Sequence, residues 1–193
     1  IETLVITEGF FKAFKACMCG ADVIGIGGIT MFTDTSTGGI HRDIKRVIID
    51  CKVKKVVFLH DGDCLDISKS LLESPELLTS KDASERPRNF RNTVTKFFQV
   101  YKPELPNVEI YWSYVNSSAI SDNPKGLDDL LVTHPEEADR VVYDLGHPEL
   151  ITSYFNICNL NKERAALDKR FFLDSAQSFY NKHKEELGTK KFI

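Results

Sequence analysis

Residues 55–63 read Lys55-Val56-Val57-Phe58-Leu59-His60-Asp61-Gly62-Asp63, and this stretch decides the fold. Val56 to Leu59 is an unbroken apolar run rich in β-branched and aromatic residues, the composition of a central parallel strand covered on both faces. The run stops at Asp61-Gly62, a turn signal, so two carboxylates stand where the strand ends. In an open parallel α/β sheet the carboxyl ends of the strands share one crevice, and ligands bind there.

Two more acidic turns follow strand-like segments on either side. Leu4-Val5-Ile6-Thr7 runs into Glu8-Gly9, and Lys125-Gly126-Leu127 runs into Asp128-Asp129. Carboxylates gathered at one crevice repel one another unless a divalent cation neutralises them. Mg²⁺, with Mn²⁺ as its substitute, needs only a few such oxygens and keeps water and substrate phosphates for the rest. A Mg²⁺-dependent phosphoryl-transfer site is therefore expected, with Glu8, Asp61, Asp63, Asp128 and Asp129 as the acidic set. Each residue also has a plainer use. Asp61-Gly62-Asp63 suits a solvated turn, and Glu8 suits the first turn of a helix, where the dipole favours a carboxylate. Asp128 and Asp129 suit a first turn equally, one turned inward as a ligand and the other capping. Lys125 contacts a phosphate, balances the carboxylates, or is solvated.

The pattern around these motifs alternates strand and helix over the first ~130 residues, as βα units do. Residues 3–8 form a strand. Phe10, Ala13, Phe14 and Cys17 then recur at helical spacing, with Gly20 suited to the C′ position. Residues 22–27 are a second strand, and 40–51 an amphipathic helix burying Ile40, Ile44, Val47, Ile48 and Cys51. Residues 64–86 are polar and read as a short helix and a loop. A helix over 87–102 buries Phe90, Val94, Phe97, Phe98 and Tyr101, and residues 108–115 are the fourth strand. From 135 onward the pattern becomes helical, with Phe171, Phe172, Ala176 and Phe179 marking a packing stripe in 161–187. The expected architecture is α/β: a parallel four-stranded sheet flanked by helices over 1–134, with a helical extension over 135–193.

The chain has 193 residues, 42% hydrophobic and 27% charged, with a net charge of −3. No global basic field recruits nucleic acid. The five cysteines, Cys17, Cys19, Cys51, Cys64 and Cys158, include no C-x-x-C pair. That pattern disfavours a zinc knuckle and suits reduced thiols in the cytoplasm. No apolar stretch reaches the ~20 residues that span a bilayer, so no membrane partner is expected. The chain opens inside a strand pattern without an initiator Met, as a piece of a larger protein does.

Gly25, Gly27 and Gly28 form a G-x-G-G turn after the second strand, which lacks the spacing and place of a dinucleotide fingerprint. Their expected use is close approach of backbone to a ligand phosphate or a neighbouring helix. His60 alternates away from Asp61 along the strand and reads as structural. Lys81, Arg86, Arg88 and Arg91 either track a nucleic-acid backbone or form a solvated helix face.

Taken together, Val5-Ile6-Thr7-Glu8-Gly9 with Lys12 and Ala13, Ile24-Gly25-Ile26-Gly27-Gly28, Asp61-Gly62-Asp63 and Lys125-Gly126-Leu127-Asp128-Asp129-Leu130-Leu131 resemble a TOPRIM domain. That Rossmann-like module is shared by bacterial primases, type IA and type II topoisomerases and some nucleases. The last run is similar to TOPRIM-like domains of primase and helicase proteins in phages and mobile elements. The resemblance covers roughly residues 3–131. It implies that Glu8 acts as general acid/base or metal ligand, that Asp61 and Asp63 hold Mg²⁺, and that Asp128 or Asp129 adds a ligand. Lys12, Gly27, Gly28, Lys125, Arg88 and Arg91 would meet phosphate or nucleic acid.

The function so implied is nucleotidyl transfer by a DNA primase-type domain, with single-stranded DNA template and nucleotides as partners and a helicase or other domains of the parent protein beside it. The chain departs from that pattern in having neither the zinc module of replicative primases nor the tyrosine domain of topoisomerases. A TOPRIM-type nuclease and a non-catalytic nucleic-acid-binding or assembly module are the alternatives.

Overall fold

Val56 to His60 are buried throughout, as a strand covered on both faces must be. The computed structural model describes residues 1–64 and 85–161. Within them, β1 (Thr3–Glu8), α1 (Phe10–Met18), β2 (Val23–Ile26), α2 (Arg42–Asp50), β3 (Lys55–His60), α3 (Glu85–Glu104) and β4 (Glu109–Val115) follow in order. They are succeeded by α4 (Leu127–Thr133), α5 (Ala138–Gly146) and β5 (Phe155–Asn159). The strands form one five-stranded sheet in the order β2-β1-β3-β4-β5. β1, β2, β3 and β4 are mutually parallel, and β5 runs antiparallel to β4.

Side-chain alternation splits the core into two layers. Leu4, Ile6, Val56, Phe58, Ile110 and Trp112 pack with Ile44 and Ile48 of α2 and with Phe90, Val94 and Phe97 of α3. Val5, Val57, Leu59, Tyr111 and Val115 pack instead with Ala16 of α1, Leu127, Leu130 and Leu131 of α4, and Val141 and Leu145 of α5. The first layer is stiffened by aromatic stacking. Phe32 meets Phe58 at 5.1 Å between ring centroids, Phe58 meets Phe97 at 4.7 Å, and Phe97 meets Tyr101 at 4.1 Å. The buried Tyr101 hydroxyl donates to the Phe32 carbonyl at 3.2 Å, and burial raises its pKa. Gly20, at φ +95°, ends α1 in a backbone region that side chains rarely adopt.

The fifth strand corrects the expectation of four. Phe155 to Asn159 lies within the segment read as helical extension, yet it pairs with β4 from Tyr111↔Asn159 to Val115↔Phe155. The run is short and carries two asparagines, so its local signal is weak. The open edge of β4 supplies the pairing. Thr3 Oγ1 also donates to the Gly146 carbonyl at 2.7 Å, tying α5 to the first strand. Two helices shift as well: α3 begins and ends two residues outside 87–102, and α2 starts after Ile40, which forms an isolated bridge with Thr33. The stripe expected over 161–187 and most of the 64–86 loop lie outside the described residues.

Glu104, at the end of α3, secures the segment before α2. Its carboxylate accepts from the Ile40 N–H at 3.0 Å and from Lys45 Nζ at 2.8 Å. The Lys45 ammonium holds the Glu104 carboxyl below its ordinary value. A depressed acid stabilises the fold above the unfolded-state pKa, and that gain is lost as pH falls through the folded value. Glu104→Gln is expected to cost about 1 kcal/mol at pH 7 and nothing once the carboxyl is protonated. Urea titrations at pH 7 and in acid check this. No helix among the described residues is long and apolar enough to cross a membrane.

Candidate active site

The carboxyl edge of the parallel strands carries the acidic motifs. Glu8 ends β1, and Asp61 follows β3 directly. The Asp61-Gly62-Asp63 turn is stapled to the loop before α4, because the Gly62 N–H donates to the Lys125 carbonyl at 2.7 Å. On the other side, Ser117 Oγ donates to the Pro124 carbonyl at 2.6 Å. The 61–63 turn and the 125–129 motif therefore form one unit, although some 60 residues separate them in sequence.

Asp61 and Asp63 are paired with side-chain cations. Lys12 Nζ, one turn into α1, stands 2.6 Å from Asp61 Oδ1 and 2.8 Å from Oδ2. Asp63 Oδ2 is met by Lys125 Nζ at 3.1 Å and by Arg86 Nη1 at 3.2 Å, and Arg86 also donates to the Asp63 carbonyl. Burial pushes the Asp61 carboxyl above its ordinary range, with Lys12 opposing and Asp63 adding to the rise. The hydrogen bond to Asp63 raises Lys125. Among the described residues no group of three or more His, Cys, Asp or Glu side chains is disposed to hold a metal ion. Lys12 offsets the charge of Asp61, and Lys125 and Arg86 that of Asp63.

The five acids are divided among distinct places. A point above Gly126, where a Cβ would stand, has Asp128 Oδ1 at 2.7 Å, Lys12 Cε at 2.8 Å and Asp61 Oδ1 at 3.3 Å. Asp61 and Asp128 thus face one small cradle that only glycine leaves open. Asp63 stands aside with its two cations. Asp129 Oδ2 accepts from the Gly126 N–H at 3.3 Å and caps α4. Glu8 is exposed, and alternation from Ile6 sets it on the α2–α3 side of the edge, whereas Asp61 is held by α1 on the opposite side. Its carboxylate has no ion pair among the described residues.

The remaining expected contacts are mixed. Lys12 and Lys125 reach the acidic turn. A Cβ at Gly25 would stand 2.8 Å from the Gly9 carbonyl and 3.0 Å from Ala13 Cβ, so that glycine permits packing of β2 against α1. Gly27 and Gly28 face the Met31 side chain. Arg88 is exposed on α3, and Arg91 is half-buried on the same helix. Arg86 was legible only as one member of a basic run; nothing in the local pattern marked it as the partner of Asp63.

His60 turns away from Asp61 into the first core layer, 4.6 Å from the Phe58 ring and 4.4 Å from that of Phe90. Its Nε2 has no hydrogen-bond partner among the described residues. Burial, with Lys12 adding, brings its pKa down to about 3. The unfolded chain then takes up a proton at His60 near pH 6.5 while the folded chain resists it. Stability is complete above that pH and falls as pH drops toward 3, by at most about 1.4 kcal/mol per unit. His60→Phe is expected to remove up to about 2 kcal/mol of the stability difference between pH 7 and pH 5, as read by denaturant titration at the two values.

Comparison of the chain with protein-family models, with curated proteins and with solved structures gives no match.

Proposed function

We propose that the chain is a TOPRIM-type domain that performs Mg²⁺-dependent nucleotidyl transfer on nucleic acid, in the manner of a DNA primase. The observation that carries this reading is the cradle at Gly126, where Asp61 and Asp128 present oxygens from two distant motifs to one point. Two hard oxygen donors suit Mg²⁺, with Mn²⁺ as its substitute. The order of the motifs along the parallel strands supports the same Rossmann-like arrangement, with β5 as an added edge strand. When bound, the ion supplies charge neutralisation at a phosphate and polarises the attacking oxygen.

In this reading Asp61 and Asp128 would hold the ion. Lys125 and Arg86, drawn together by Asp63, offer N–H donors to the oxygens of an incoming phosphate. Lys12 holds the charge of Asp61 until substrate arrives. Glu8, exposed on the other side of the edge from Asp61, takes no part at this ion. Single-stranded DNA and nucleotides are the partners, in the cytoplasm, beside the helicase or other domains of a larger protein.

A second reading has its own observation. Because Lys12, Lys125 and Arg86 satisfy the aspartates without a metal, the edge also suits a non-catalytic binding or assembly module. Incubation with single-stranded DNA, ribonucleotides and Mg²⁺ separates the cases. Extended products are expected. Cleavage assigns a nuclease, and binding that ignores Mg²⁺ with no product assigns the module.

A further inference from the structure

Helix α1 buries Ala13 and Ala16 and turns its largest side chains outward. Phe10 is 70% exposed, Phe11 75%, Phe14 54% and Met18 71%, on a helix of nine residues. Phe10, Phe14 and Met18 follow at i, i+4 and i+8, so they form one stripe. The Phe10 and Phe14 rings lie 5.8 Å apart and within 15° of parallel, and Phe11 meets Phe10 edge-on at 5.7 Å. Elsewhere among the described residues the exposed large apolar side chains are Ile1, Met31, Ile49, Val132, Tyr143 and the adjacent Leu150 and Ile151, with no second group of three aromatic rings.

Three rings in water are costly to maintain, and a contiguous exposed apolar face marks a binding surface. Two features identify its occupant. Lys15 stands one turn beyond Phe11 and has no ion pair among the described residues, so the stripe carries a free cation. The same helix sends Lys12 to Asp61 and begins two residues after Glu8, so whatever lies on the stripe runs to the carboxylate edge. Flat π-faces beside a cation, leading to a phosphate-handling edge, match a single strand of nucleic acid, whose bases stack on aromatic rings and whose backbone pairs with Lys.

We propose that the α1 stripe of Phe10, Phe11 and Phe14 is a base-stacking platform that lays a single-stranded nucleic acid toward the acidic edge, with Lys15 contacting its phosphodiester. This rests on the nucleic-acid reading above and adds the surface that grips the strand. It predicts sequence-tolerant binding, because every base has a π-face.

The test is anisotropy titration of labelled oligothymidylate, without Mg²⁺, against the protein and three variants. Phe10→Ala with Phe14→Ala is expected to raise Kd about ten- to hundredfold, while Phe10→Tyr with Phe14→Tyr retains affinity. Lys15→Gln is expected to reduce the salt slope by about one. An abasic strand should bind the unaltered protein more weakly and be indifferent to the double Ala change. Both phenylalanines are exposed, so circular dichroism is expected to show an unaltered fold. Equal affinity for the double Ala variant overturns the platform while leaving Mg²⁺-dependent chemistry standing, and failure of the unaltered protein to bind any strand overturns both. A dimer in sedimentation, or binding to anionic vesicles, that the double Ala change abolishes while strand affinity persists assigns the face elsewhere and also overturns the platform.

Discussion

Replacing Asp61 and Asp63 together by Asn is expected to reduce Mg²⁺-dependent turnover at least about a hundredfold, since loss of partners behind metal ligands alone costs 10–100-fold. The same change should shift the melting temperature by only about 2–4 °C, the equivalent of about 1 kcal/mol in a domain of this size. The reason lies in the balance at Asp61. Burial already disfavours its charge, so neutral Asn relieves that cost while keeping an oxygen for Lys12. Asp63, Arg86 and Lys125 are partly solvated, and ion pairs of that kind contribute little. A purely structural role predicts the reverse: a large fall in melting temperature with turnover per folded molecule intact. Turnover and calorimetry on the same preparation decide, and unchanged turnover removes the assignment.

Gly62→Ala should be the most damaging single methyl group in the described fold. Its Cβ would stand 1.7 Å from Ser117 Oγ, 2.9 Å from Ser117 Cβ and 2.7 Å from the Val115 carbonyl. Rotation of the serine relieves only the first, and costs its bond to the Pro124 carbonyl. Backbone has to move, either at β4 or in the 61–63 turn, at a cost of about 1–3 kcal/mol. Because the Gly62 N–H bonds to Lys125, any shift of the turn also separates Asp61 from the Gly126 cradle. Melting temperature and turnover are therefore expected to fall together. Adding Ser117→Ala should recover only part of the loss, since the carbonyl of Val115 remains. Full recovery would show that the side chain alone makes the contact.

The parallel strands were legible because their residues announce them locally. Val56 to Leu59 and Leu4 to Ile6 are apolar without interruption, and each run leads into an acidic turn. Lys12 and Lys125 were legible as cations beside those turns. Arg86 was not, since the bond it makes depends on how α3 starts after a long intervening segment. β5 was not legible either, as five residues with two asparagines acquire a strand geometry only by pairing with β4. The division of the acids was hidden for a related reason. Asp129 and Asp128 are adjacent in sequence, but the first turn of α4 sends one to cap its own helix and the other to the cradle.

What the chain determined by itself is the alternation of apolar strands with amphipathic helices, and with it the arrival of several acidic turns at one end of a sheet. Those follow from periodicity and burial, which are local properties. Only the tertiary structure decided that ammonium and guanidinium groups pair with Asp61 and Asp63, that Glu8 and Asp61 leave the edge on opposite sides, and that a glycine holds the space between Asp61 and Asp128 open. Charge pairing acts across a few ångströms, and which groups come that close is set by packing rather than by spacing along the chain.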